Sequence, residues 1–347
     1  MTFNKIFQKL CICLSMILFS NFIAFAENFD ADNTSSFESA LSKANAQPEQ
    51  QHTININGDI SLDSSISEAI SLELTGSNSE NHYNFALNGH TFTYDGADKS
   101  SEISNLDILT DVKGSGITIK NQQFTVSNTN FTGSTSIKND ISAITNNGGD
   151  LYISNSAFTK NSSGLTSGAV NNTGNGSLRI SDSLISENYG FNGGAFYQNN
   201  GNTVITNTKI SDNTASRFGG AIYVNDASLN IKDSDVSDNS TDAYGGALYI
   251  NGGTVTIDNT NFNENKVTGN SIGGAISIMA GNGVISNCKF TNNSAESIWG
   301  GGAIINYMST IDLNNSNIFE NNTSSGRGGA ITATTRSVTN ITGSASL

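Results

Sequence analysis

Cysteine, proline, basic residues and long apolar runs are all scarce in this chain of 347 residues. The one extended apolar run lies near the start, from Leu10 to Phe25. Lys5 and Lys9 precede it and Ala24-Phe25-Ala26 closes it as an A-x-A cleavage pattern, so residues 1–26 read as a secretory signal peptide. The run is short for a membrane span, and no later stretch approaches the ~20 apolar residues a span requires. The mature chain is therefore expected to be exported, with no membrane span of its own. Cys11 and Cys13 belong to the leader, which leaves Cys288 alone. That excludes an internal disulfide and any cysteine-cluster metal site. Stability must come from packing and backbone ladders.

Positive charge is the next shortage. Taking Lys5 and Lys9 from the 16 basic residues leaves 14 against 30 acidic ones, a formal charge of about −16. Nucleic acid and anionic membrane surfaces would repel such a chain, so neither is an expected partner. A single proline beside 35 glycines, with abundant Asn, Ser and Thr, could suggest disorder. The 36% of hydrophobic residues is arranged with a period, which argues for a packed fold.

That period is what the chain has in quantity. A small-small-Ala-apolar phrase begins at Gly193, Gly219, Gly245, Gly273, Gly301 and Gly328, with weaker copies at Ser167 and Ser142. The spacing of 26–28 residues gives eight units, the last one incomplete. Each unit holds a second apolar alternation, such as LYI at 151–153, LRI at 178–180, LNI at 229–231 and VTI at 255–257. An Asn/Asp-Ser/Thr pair follows: Asn155-Ser156, Asp182-Ser183, Asn207-Thr208, Asp233-Ser234, Asn259-Thr260 and Asn315-Ser316. Cys288 takes the Ser/Thr slot after Asn287, so it reads as a small ladder residue and not a reactive thiol. A third apolar position with Asn three residues on closes the unit: Phe158/Asn161, Ile185/Asn188, Ile210/Asn213, Val236/Asn239, Phe262/Asn265, Phe290/Asn293 and Ile318/Asn321.

Alternation with period two, many β-branched residues and interruptions by Gly and Asn exclude helical repeats. Three short strands with tight corners per unit describe one coil of an all-β parallel solenoid. Stacking places equivalent residues ~4.8 Å apart along the axis. Bulk at a corner would recur on every coil, so the corner must be small, and Gly supplies positive φ where the turn needs it. The column of Asn residues is expected to stack as an amide ladder.

The open strand edges at the ends of a solenoid need covering. Residues 35–46, SSFESALSKANA, read as a short helix with Ser35 and Glu38 as capping box and Phe37, Leu41 and Ala44 on one face. The expected organisation is a signal peptide at 1–26, an N-terminal cap at 27–50, irregular opening coils at 51–140 and regular repeats at 141–347. Because the chain stops at ITGSASL in mid-unit, we read it as a fragment of a longer protein in preference to one with an irregular final coil.

GGAI stands at 219–222, 273–276, 301–304 and 328–331, and FxxN at Phe158–Asn161, Phe262–Asn265 and Phe290–Asn293. Their alternation resembles the repeats of the chlamydial polymorphic outer-membrane proteins and related autotransporter adhesins, closely over 141–347 and loosely over 50–140. The resemblance implies a right-handed parallel β-helix of the pectate-lyase type, displayed at the cell surface or outer membrane and used in adhesion. It also implies a C-terminal membrane barrel, which has no counterpart in these 347 residues.

Several polysaccharide enzymes share that architecture, so the fold leaves function open. A grooved pair of carboxylates with a nearby Lys or Arg would mark a lyase or glycosidase. The densest acids are Asp233, Asp235, Asp238 and Asp242, with no second carboxylate layer evident in the neighbouring units. They read as a solvated face with room for weak Ca²⁺ binding, and neither a cofactor nor a catalytic residue is expected. His52, His82 and His90 precede the regular repeats and read as surface or turn residues. Tyr197, Tyr223 and Tyr249 follow the apolar residue of the phrase on three successive coils, and alternation points them outward as an exposed stack. Phe191, Phe218, Tyr244, Ile272 and Trp299 precede the glycines and read as packing over the corner. The sequence therefore predicts a non-enzymatic surface adhesin or scaffold that meets a host or neighbouring-cell protein or glycan. A carbohydrate-active enzyme and a purely structural stalk are the alternatives.

Overall fold

A computed structural model of the chain describes residues 26–136, 139–342 and 345–346. Residues 1–25, all but the last residue of the segment 1–26 read as a signal peptide, lie outside the described residues. The rest is a right-handed parallel β-solenoid of about 12 turns, built on sheets of 13, 12 and 11 parallel strands. From Tyr189 onward a fourth sheet of six short strands joins them at the corner before the glycine phrase, where three strands per unit were expected.

Strand register explains the sequence phrases. Val170, Phe196, Ile222, Leu248, Ile276 and Ile304 form one inward column, while Asn171, Tyr197, Tyr223, Tyr249, Ser277 and Ile305 form the outward column beside it. In the third position of the unit, the rings of Phe131 and Phe158 stack at 4.5 Å, and Phe262, Phe290 and Phe319 stack at 4.9 Å on each step. All five are buried.

The two glycines of the phrase serve different needs. Gly219, Gly245 and Gly273 hold φ of 58°, 70° and 77°, a left-handed corner that an L side chain adopts only under strain. Gly220, Gly246 and Gly274 lack positive φ, but a Cβ on any of them would overlap the carbonyl oxygen of the equivalent glycine one coil further along.

The expected amide ladder is present and buried. Asn188 Nδ2 donates to Asn213 Oδ1 at 2.9 Å, Asn213 to Asn239 at 3.0 Å, Asn239 to Asn265 at 3.0 Å and Asn265 to Asn293 at 3.0 Å. The Ser/Thr/Cys slot is a second ladder, in which Ser156 and Ser234 each donate to a carbonyl two residues back and accept an N–H from the preceding coil. Cys288 takes the same place, buried, with its thiol directed at the Ser286 carbonyl. Burial pushes that thiol up to about 11.

The last full unit departs from the expected register. Phe319 stacks on Phe290, and Asn322 accepts from Asn293, so the unit closes with Phe319/Asn322 and not Ile318/Asn321. Asn317, not Ser316, meets the Cys288 N–H, at 3.0 Å. One inserted residue after Asn315 accounts for both shifts.

At the other end, Glu27–Ala31 is already a strand, paired with Gln51–Ile56. The helix that follows spans Thr34–Asn45, with Asn33 as N-cap in a reciprocal capping box with Ser36. This replaces the expected Ser35/Glu38 box, because the strand delivers the chain at Asn33, a strong N-cap residue. Phe37, Leu41 and Ala44 are buried as expected, with Phe37 edge-on to Phe85 at 5.2 Å. Among the described residues no helix is long and apolar enough to cross a membrane.

Candidate functional site

Two of the concave surfaces on the regular coils are large enough to take a ligand. The first begins at the outward tyrosine column of the sheet that contains Phe196–Asn199, Ile222–Asn225 and Leu248–Asn251. Tyr197, Tyr223 and Tyr249 stack with centroid spacings of 5.1 and 5.2 Å, as the spacing predicts. The exposure is not as predicted. Phe218 lies 4.8 Å from Tyr249 and Tyr244 lies 5.7 Å from it, and together they leave Tyr249 only 7% exposed. Burial pushes its phenol up to about 12. Tyr197 and Tyr223 remain half-buried and their phenols are raised by the same cause.

The residues read as corner packing are the more open ones. Phe191 is 38% exposed and Trp299 is 58% exposed. Arg217 lies over the Phe218 ring at 4.7 Å, and Arg327 over the Trp299 ring at 5.7 Å. Only Ile272 in that series is buried as a packing residue should be.

Beyond Tyr249 the column loses its aromatic side chain. Ser277 occupies the place, with its hydroxyl donated to the Ile272 carbonyl at 2.8 Å, and Ile305 follows. The neighbouring outward column changes too: the amide ladder Asn199–Asn225–Asn251 gives way to Met279 and Tyr307. The missing ring volume leaves a cleft of about 580 Å³ lined by Tyr244, Ile272, Met279, Trp299, Ile305, Tyr307 and Arg327, with short polar side chains such as Asn270, Ser271 and Thr332. No carboxylate lines it. Sequence reasoning missed this cleft, although the break at Ser277 was its signal.

The second surface is polar. A shallow groove of about 830 Å³ runs along the turn that carries Asn155, Asp182, Asn207, Asp233 and Asn259. All five hold positive φ between 45° and 51°, which Asn and Asp tolerate best among residues with a side chain. Asp182 accepts from Asn207 at 2.6 Å and Asp233 from Asn259 at 2.6 Å. Asp235 and Lys209 line the same groove. Asp238 lies on the next corner, its carboxyl raised by burial and by Asp212 and Glu264, while Asp242 accepts from the Thr268 hydroxyl. Among the described residues, no group of three or more His, Cys, Asp and Glu side chains is arranged to hold a metal ion.

Residues 207–225 and 318–334 match the sequence profile of the Chlamydia polymorphic membrane protein repeat. The chain resembles that repeat. Both segments run through a residue of the Asn ladder, Asn213 in the first and Asn322 in the second, and the first ends on the GGAIYVN strand beside the tyrosine stack. No curated protein matches the chain. Among solved structures, the A-module of the Azotobacter vinelandii mannuronan C-5 epimerase AlgE4 superposes over 94% of this chain and 98% of its own, with a TM-score of 0.42 and 12% identity. A likeness at that level implies nothing about chemistry.

Proposed function

We propose that the protein is an exported, surface-displayed β-helix that recognises a ligand on a host or neighbouring cell through its aromatic flank. The observation that carries this reading is the cleft at Trp299. It is concave, aromatic, free of carboxylates, and continuous through Tyr244 with the tyrosine stack. Its volume falls within the roughly 300–1,000 Å³ of small-ligand sites. Trp, Tyr and Arg are the residues that dominate binding energy at recognition surfaces. The match to a surface-protein repeat agrees with display outside the cell. A glycan array and a cell-binding assay with the chain from Glu27, run beside Trp299→Ala, test it. Binding that falls at least tenfold in the variant supports the reading, and unchanged binding refutes it.

A second reading rests on its own observation. Asp182, Asp233 and Asp235 share the polar groove with Lys209, the combination that polysaccharide enzymes use. Asp182 and Asp233 stand two coils apart, roughly 10 Å along the axis, at the far limit of the carboxylate separation in inverting glycosidases. Each also spends one oxygen on an Asn amide. Cleaved or epimerised sugar in the array eluate, abolished by Asp233→Asn, would establish this reading in place of the first.

A further inference from the structure

Arg327 is one of only four arginines after residue 26 of an acidic chain, and it lines the cleft at Trp299. Among the described residues no ion pair engages it, whereas Lys113, Lys120, Lys266 and Lys289 each have a carboxylate within 3.2 Å. No acid lines the cleft. The guanidinium instead lies over the Trp299 ring, 5.7 Å from its centroid, with its N–H donors unspent on any carboxylate.

An unpaired guanidinium beside a half-exposed indole calls for an anionic, planar acceptor attached to an apolar face. We infer that the cleft binds a carboxylate-bearing saccharide, a uronic or sialic acid unit, with Arg327 as counter-ion and Trp299 as the stacking surface. The inference rests on the recognition reading above. Charge complementarity supports an acidic ligand, because a carboxylate paired with Arg takes two parallel hydrogen bonds. The short polar rim of Asn270, Ser271 and Thr332 suits a polyhydroxylated ring. An extended peptide would gain most from a free strand edge, and the sheet at this cleft is continuous: Ile276–Met279 pairs on one side with Leu248–Asn251 and on the other with Ile304–Tyr307.

The test is calorimetric titration of the chain from Glu27 with a sialylated trisaccharide and an oligogalacturonide, each beside its carboxyl-reduced counterpart. The inference predicts that at least one acidic sugar binds, that reduction of its carboxyl weakens binding about tenfold or more, and that Arg327→Gln causes the same loss without affecting the neutral sugar. Rising salt should weaken the acidic ligand only. If the neutral form binds equally well and Trp299→Ala alone abolishes it, recognition at the cleft stands and the carboxylate inference falls. If an acidic sugar binds and neither variant matters, both fall. If neither acid binds, the saccharide inference is overturned. Circular dichroism of both variants guards against misfolding, and Arg327→Lys should recover only part of the affinity, because ammonium cannot reproduce the fork geometry.

Discussion

A single side chain repeated on seven successive coils, from Asn161 to Asn322, ties those coils together. Asn239 shows why. Its amide accepts from the Asn213 N–H and Nδ2, and donates to the Ile210 carbonyl and to Asn265 Oδ1, each at 3.0 Å and buried. Asn239→Ala would strand several of these groups, and the expected cost is about 3 kcal/mol in urea unfolding. Exposed Asn261→Ala, on the next coil, should stay within about 0.5 kcal/mol. A similar loss for both would mean that the ladder is not what holds the coils. The residue before each ladder Asn tells the opposite story. Glu264 holds φ of 55° on the surface, a conformation that costs a branched backbone roughly 1–2 kcal/mol. Glu264→Gly should therefore raise stability by about 0.5–1 kcal/mol after the glycine's own entropy is deducted. A fall in the melting temperature would show that the carboxylate matters more than the strain. The Asn ladder was legible because amides recur at a fixed place. The left-handed corner before it was not, because Lys160, the carboxylates Glu187, Asp212, Asp238 and Glu264, and the amides Asn292 and Asn321 occupy it in turn, and no single residue type marks it.

Strands and columns are the next scale, and here the outward aromatic column behaves unlike the reading of it as a uniform platform. Alternation correctly points Tyr197, Tyr223 and Tyr249 away from the core, yet alternation cannot say what a corner loop lays over them. Phe218 and Tyr244 reach Tyr249 from a different part of the coil. The same limit hid the one-residue insertion before Phe319, since Ile318-Phe319 and Asn321-Asn322 offer two equivalent registers and only stacking on Phe290 decides between them. It also hid the inward amides of Asn146, Asn172 and Gln198, which satisfy one another and the Gly149 and Gly176 carbonyls in what would otherwise be an apolar column. The tyrosine column makes a pH prediction. The Tyr249 phenol is raised from 10 to about 12 in the fold, so between those values the unfolded chain sheds a proton that the native state keeps. Its contribution is fully present below pH 10 and is lost as pH rises toward 12, by up to about 3 kcal/mol. Tyr249→Phe should flatten that alkaline fall in denaturant midpoint, and an unaltered profile would place the sensitivity elsewhere, such as at Cys288.

The whole molecule is a rod whose flanks differ. Period, corner glycines and capping helix were readable from the sequence because a solenoid repeats its constraints on every coil. The candidate cleft was not, because it lies where the repetition breaks: at Ser277, where the tyrosine column stops, and at Trp299, a tryptophan at the place that other units give to Phe, Tyr or Ile. Those breaks put an aromatic cleft on one flank, while the turn of αL Asn and Asp residues builds a polar groove on another. Recognition at the cleft is the central claim, and the single tryptophan of the chain stands in it. The most direct measurement is the emission of Trp299 while the chain is titrated with the glycans that bind it. A saturable blue shift that follows occupancy, and that disappears in Tyr307→Ala together with binding, is the predicted result. Glycans that bind with no change in that emission would place recognition away from the cleft and contradict the account.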